Sequence, residues 1–106
     1  MSHKTENNIS VLKRGRLNPP LFSHKKIIIA LSVTNNTDEF LSEITITDKS
    51  DEYSEKHFVG ENAVYFRNGK EYRIKAKEEN NRVRISGVSL FPRECVIVFY
   101  SVFDRK

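Results

Sequence analysis

The chain has 106 residues, of which 38% are apolar and 30% charged, with no tryptophan and a formal net charge of +4; at this length it forms one hydrophobic core that buries about two thirds of the unfolded surface. Its one cysteine, Cys95, excludes an intrachain disulfide, and with three scattered histidines, His3, His24 and His57, it supplies no zinc cluster. No stretch approaches the roughly 20 apolar residues of a membrane-spanning helix, and residues 1–8 lack the apolar centre of a secretory signal, so a soluble chain without a signal peptide is expected.

Residues 1–8 are polar and are expected to form a flexible N-terminal arm, with residues 9–106 as a single domain. Residues 9–13 (ISVLK) read as a short first strand, after which Gly15 and the pair Pro19-Pro20 impose a loop, since proline has no N–H to give to a sheet. Residues 25–34 (KKIIIALSVT) set Ile27, Ile29, Leu31 and Val33 on one face and Ile28, Ala30, Ser32 and Thr34 on the other. That pattern predicts a strand whose second face starts apolar and ends polar. Residues 35–38 (NNTD) stop it, because such side chains bond their own main chain or tolerate left-handed backbone.

Residues 41–48 (LSEITITD) resume the alternation, but the step from Leu41 to Ile44 breaks the period of two and predicts a bulge at Ser42 or a later start. An acidic loop follows over residues 49–56, then a brief strand at His57-Phe58-Val59 ended by Gly60. Residues 63–76 (AVYFRNGKEYRIKA) give the strongest local signal, since Asn68-Gly69 suits a two-residue type I′ turn with positive φ at both central positions. A turn over residues 78–81, a short strand at 82–86 (RVRIS) and a long last strand at 94–103 (ECVIVFYSVF) complete the chain. Seven or eight short strands without a helical period predict an all-β, antiparallel β-sandwich.

Four segments carry a family resemblance: Lys13, the run Leu31-Ser32-Val33-Thr34-Asn35, the run Ile44-Thr45-Ile46-Thr47-Asp48, and Leu90-Phe91-Pro92-Arg93-Glu94. Together they resemble the immunoglobulin-like conserved repeat domain of bacterial surface proteins, whose pattern runs from a lysine-terminated strand through Y-x-I-x-V-x-N and V-x-V-x-D to L-x-P-G-E. The likeness spans most of residues 10–103. Arg93 stands where that family places a glycine, and the proline usual soon after the aspartate is absent. The resemblance implies an immunoglobulin-like sandwich of about seven to eight strands, used as a structural module in stalks, adhesins or envelope structures.

Charge is distributed in blocks. Residues 1–26 hold six bases against Glu6 alone, residues 38–61 hold eight acids against Lys49 and Lys56, and residues 62–84 hold seven bases against three acids. Such blocks complement one another between neighbouring subunits or form solvated faces. Cys95 follows Glu94, and a neighbouring carboxylate disfavours the thiolate a nucleophile requires, so it reads as a packing or surface cysteine. His24 and His57 have no triad-like companions. Asp48, Ser50, Asp51, Glu52 and Glu55 lack the glycine-punctuated spacing of an EF-hand and read as a solvated loop, so no metal or cofactor is expected.

Two contact elements are expected instead of a catalytic centre. The N-terminal segment could lie on a neighbour's sheet edge, with Ile9, Val11 and Leu17 filling pockets. The last strand is apolar on both faces, and its second face, Ile97, Phe99 and Phe103, needs a cover from the chain itself or from a subunit contact. The expected function is a non-enzymatic, self-assembling structural subunit of a bacterial or phage surface structure. The alternative is a small monomeric binder or phage-encoded inhibitor that uses the basic residues Lys13, Arg14, Arg16, Lys25 and Lys26 on nucleic acid or an acidic partner.

Overall fold

A computed structural model describes residues 8–17, 26–49, 57–79 and 82–104. Seven strands account for most of them: β1 (Ile9–Leu17), β2 (Lys26–Asn35), β3 (Leu41–Asp48), β4 (His57–Arg67), β5 (Lys70–Glu79), β6 (Arg82–Leu90) and β7 (Cys95–Asp104). All neighbours are antiparallel, in one sheet of order β1-β2-β7-β4-β5-β6-β3. The all-β, antiparallel expectation is met. The strands do not separate into two facing sheets, because β4 pairs with both β7 and β5, and the single sheet curls into a half-barrel.

From β2 onward the pairing is nested: β2 with β7, β3 with β6, and β4 with β5. The curl then carries the β3 edge across from β1 and β7, where the Tyr100 hydroxyl donates to Asp48 Oδ2 at 2.5 Å and Lys13 Nζ lies 3.6 Å from the same oxygen.

The concave face is the core. Ile29, Leu31 and Val33 of β2, Val98, Tyr100 and Val102 of β7, and Val83, Ile85, Val88 and Leu90 of β6 are all 0–1% exposed. Each such aliphatic side chain contributes about 1.5–3 kcal/mol through removal from water, and β-branched residues suit the pleated surface they occupy. The two faces of β7 divide as the alternation predicts, with Val96, Val98, Tyr100 and Val102 inside and Ile97, Phe99 and Phe103 half-buried on the convex side.

Several expected strand ends are continuations. β1 runs past Gly15 to Leu17, because a register shift between Lys13 and Gly15 absorbs one residue and leaves the ladder to β2 intact. β4 runs through Gly60, where the register against β7 shifts between Val59 and Ala63; a Cβ at Gly60 would sit 2.9 Å from Phe103 Cε2. β6 continues beyond Ser86 to Leu90 because Gly87, at φ 108°, inserts an extra residue that resets the alternation from Val83 and Ile85 to Val88 and Leu90. These are β-bulges, which bend a strand without ending it.

The expected irregularity in β3 is present, with a register shift between Leu41 and Ile44 and Glu43 at φ 47°. The β4–β5 hairpin also matches, since Asn68 and Gly69 have φ 52° and 79° and Arg67 pairs with Lys70. The arm at residues 1–7, the Pro19-Pro20 loop, the acidic loop over residues 50–56 and the turn at Asn80-Asn81 lie outside the described residues.

Candidate functional site

At one end of the sheet the β2–β3 turn and the β6–β7 turn are tied together by Asn35, which is fully buried. Its Nδ2 donates to the carbonyl oxygens of Glu39 (2.7 Å) and Phe91 (2.9 Å), and its Oδ1 accepts from the Thr37 N–H (2.9 Å) and the Thr37 hydroxyl (2.7 Å). The Asn35 and Arg93 N–H groups add main-chain bonds to Glu94 and Thr37 across the two turns. A buried amide with both poles satisfied fixes the mutual position of these loops. Asn35 and the 90–94 segment, two of the segments that carry the family resemblance, are therefore one structural unit.

Arg67, the last residue of β4, clamps the same end. Its Nε and Nη2 donate to Glu94 Oε2 (2.8 Å) and Oε1 (2.6 Å), Nη2 also donates to the Ser89 carbonyl at 2.6 Å, and the Phe91 N–H donates to Glu94 Oε1 at 2.9 Å. The guanidinium packs against the rings of Tyr65, Tyr72 and Phe91, with centroids 4.8–5.7 Å away. The two-point bond to Arg67 holds the Glu94 carboxyl below its ordinary range, against the opposing effect of burial, and the Phe91 N–H adds to it; the same bond holds the Arg67 guanidinium above its ordinary value. Arg93, at φ 61°, occupies left-handed backbone that suits a glycine, and its guanidinium pairs with Asp38 at 2.8 Å.

Lys13 and Asp48, also singled out by the resemblance, meet across the curl beneath Tyr100. Asp48 is 8% exposed, and a buried carboxylate of this kind requires both a donor and a countercharge. Its oxygen is committed to these two groups. Among the described residues no three His, Cys, Asp or Glu side chains group as a metal site. Cys95 is exposed, 3.3 Å from the Ser32 hydroxyl.

The expected contact residues fall in two places. Ile9 is buried in the core and Val11 packs against it, so both are engaged within this chain: β1 pairs with β2 over its whole length. The side chain of Leu17 lies outside the described residues. Ile97 and Phe99 instead line the convex face of β2, β7 and β4. There Ile28, Val64, Phe66, Phe99 and Ser101 border an open hollow of about 370 Å³, Phe66 meets Phe99 edge-on at 6.4 Å, and Phe58 stacks on Phe103 at 5.4 Å. Phe66 is 46% and Leu12, on the neighbouring β1, 58% exposed.

Of the expected basic residues, only the side chains of Lys13 and Arg14 fall among the described residues. Lys13 is turned to Asp48 and Arg14 is exposed, while Lys25 and the side chains of Arg16 and Lys26 lie outside the described residues. A different basic surface is present on the convex side of β5 and β6, formed by Arg73, Lys75, Lys77, Arg82 and Arg84. Its sequence signal is the alternation of these cations with Ile74, Ala76, Val83 and Ile85.

No described element is a helix long and apolar enough to cross a membrane. Comparison of the chain with protein-family models, curated proteins and solved structures found no match.

Proposed function

We propose that the chain is a non-enzymatic structural module that acts by protein contact, and that it self-associates through the convex face of β2, β7 and β4. The observation that carries this reading is the chemistry of that face. Its centre, formed by Ile28, Ala30, Val64, Phe66, Ile97, Phe99 and Ser101, contains no charged residue. In a chain of net charge +4, such a face can meet a second copy of itself without burying a charge, whereas the β5–β6 face would repel its copy. Burial of Phe66 and Phe99 in a symmetric contact supplies the apolar centre that stable interfaces share.

The immunoglobulin-like reading rests on the structural use of the residues that carry the resemblance, Asn35 with the 90–94 loop and Lys13 with Asp48. The resemblance also favours a bacterial or phage surface structure as the setting.

The test is light scattering over a range of concentrations on the wild type and on Phe66→Glu, which places a carboxylate at an exposed position. The expected result is a concentration-dependent oligomer that reverts to monomer in the variant with unchanged circular dichroism. A wild type that stays monomeric throughout would sink the proposal, and so would an oligomer indifferent to the substitution.

A further inference from the structure

We infer that the convex face of β5 and β6 binds the phosphate backbone of duplex nucleic acid without reading its sequence. This site adjoins the apolar contact face across the β4–β5 ladder and uses none of the basic residues near the N-terminus.

On an antiparallel pair, residues two apart point the same way about 7 Å apart, and directly opposite residues are close neighbours. Arg73, Lys75 and Lys77 therefore form a row on β5, and Arg82 and Arg84 form a second row beside it on β6, with all five side chains exposed. Lys77 is paired directly with Arg84. Like charges placed opposite each other weaken a sheet unless an anion sits between them. Two acids share the face: Glu71 pairs with Arg73 at 3.6 Å and Glu79 with Arg84 at 3.4 Å. Among the described residues Lys75, Lys77 and Arg82 form no ion pair, although Glu79, which pairs with Arg84, stands opposite Arg82 in the ladder.

The surroundings suit phosphate. An open hollow of about 370 Å³ is bordered by Thr47, Glu79, Arg82 and Arg84. Thr47 pairs with Arg84 and Thr45 with Ser86, so β3 lines up hydroxyl groups next to the cations. Hydroxyls and guanidinium groups together form the usual contacts to phosphate oxygens, which position a protein on a duplex and carry no sequence information. The aromatic side chain of β5, Tyr72, stacks on Tyr65 on the concave side, so β5 and β6 themselves offer no ring for an unpaired base, and the exposed ring of Phe66 lies beyond them on β4, opposite Glu71. That absence favours a duplex backbone over a single strand.

Neutralising three phosphates through Lys75, Lys77 and Arg82 gives a slope of log affinity against log salt of about −2.7, or about a fortyfold loss between about 50 mM and about 200 mM salt. The test is fluorescence anisotropy of the full chain with a short random-sequence DNA duplex, repeated with Lys75→Gln/Lys77→Gln/Arg82→Gln and with Arg14→Gln, each checked for folding by thermal unfolding. The expected result is binding at low salt with that slope, a loss of at least about tenfold and a flatter slope in the triple variant, and wild-type affinity in Arg14→Gln. No binding at low salt overturns the proposal. It is also overturned if Arg14→Gln costs as much as the triple variant, or if polyglutamate displaces the duplex as readily as unlabelled DNA does.

Discussion

Replacing Asn35 should show how much of the fold depends on one buried amide. Asn35→Ala removes four side-chain hydrogen bonds of 2.7–2.9 Å, two donated by Nδ2 and two accepted by Oδ1, together with a long 3.5 Å bond from Nδ2 to the Leu90 carbonyl that adds little. At about 1 kcal/mol for each, the loss reaches about 4 kcal/mol; because the Glu39 and Thr37 groups are only partly buried and regain water, about 3 kcal/mol is expected. That is a large share of the 5–15 kcal/mol typical of a domain. Asn35→Asp has the same shape but turns an oxygen toward the carbonyls of Glu39 and Phe91. Its folded carboxyl must therefore titrate above the unfolded value of about 3.9. As pH rises through about 4 the unfolded chain releases the proton that the folded chain retains, so the variant loses stability relative to wild type toward neutral pH. Urea unfolding followed by circular dichroism at pH about 4 and about 7 measures both differences, and subtracting wild type at each pH removes the titration of other groups. A loss below about 1 kcal/mol in Asn35→Ala, or a pH-independent deficit in Asn35→Asp, would refute the role assigned to this residue.

Other consequences concern the same end of the sheet and its bulges. Because Arg67 lowers the Glu94 pKa, the pair stabilises the fold above the unfolded glutamate value of about 4.3 and this contribution disappears as pH falls through the lower folded value. Glu94→Gln should cost about 2 kcal/mol at neutral pH and reduce the acid-side slope of stability; an unchanged slope in urea titrations counts against the clamp. Gly87→Ala should cost about 2 kcal/mol, since φ is 108° and the new Cβ would lie 3.3 Å from Ile74 Cγ2, and thermal unfolding close to wild type would show that the bulge relaxes freely. Arg93→Gly should unfold no earlier than wild type, whereas Arg93→Val should unfold clearly earlier because a β-branched residue is poorly suited to φ 61°; equal midpoints for the two variants would exclude backbone strain at this position.

The sequence by itself determined the strands and their faces. Side-chain alternation has the same period as the pleat, so Ile29, Leu31 and Val33 and then Val98, Tyr100 and Val102 announce an inner face before any pairing is known. Asn68-Gly69 is equally self-sufficient, because positive φ at two adjacent positions is a local requirement. Glycine within a strand was ambiguous. Gly15, Gly60 and Gly87 carry the same local signal as strand ends, and they are bulges because β2, β7 and β3 continue their ladders alongside. Only a partner strand distant in sequence decides between these outcomes.

Tertiary structure also decided which conspicuous residues are spent on the fold. Lys13 is spoken for by Asp48, and Asn35 by carbonyls that include one 56 residues away, bonds that neither residue's neighbourhood in the chain reveals. The curl of the sheet makes both contacts, and it leaves on β2, β7 and β4 a convex face whose centre carries no charge among the described residues, beside a cationic one on β5 and β6. Alternation gave each strand its outward residues; strand order alone determined which outward residues became neighbours, and with them the two surfaces on which function is proposed.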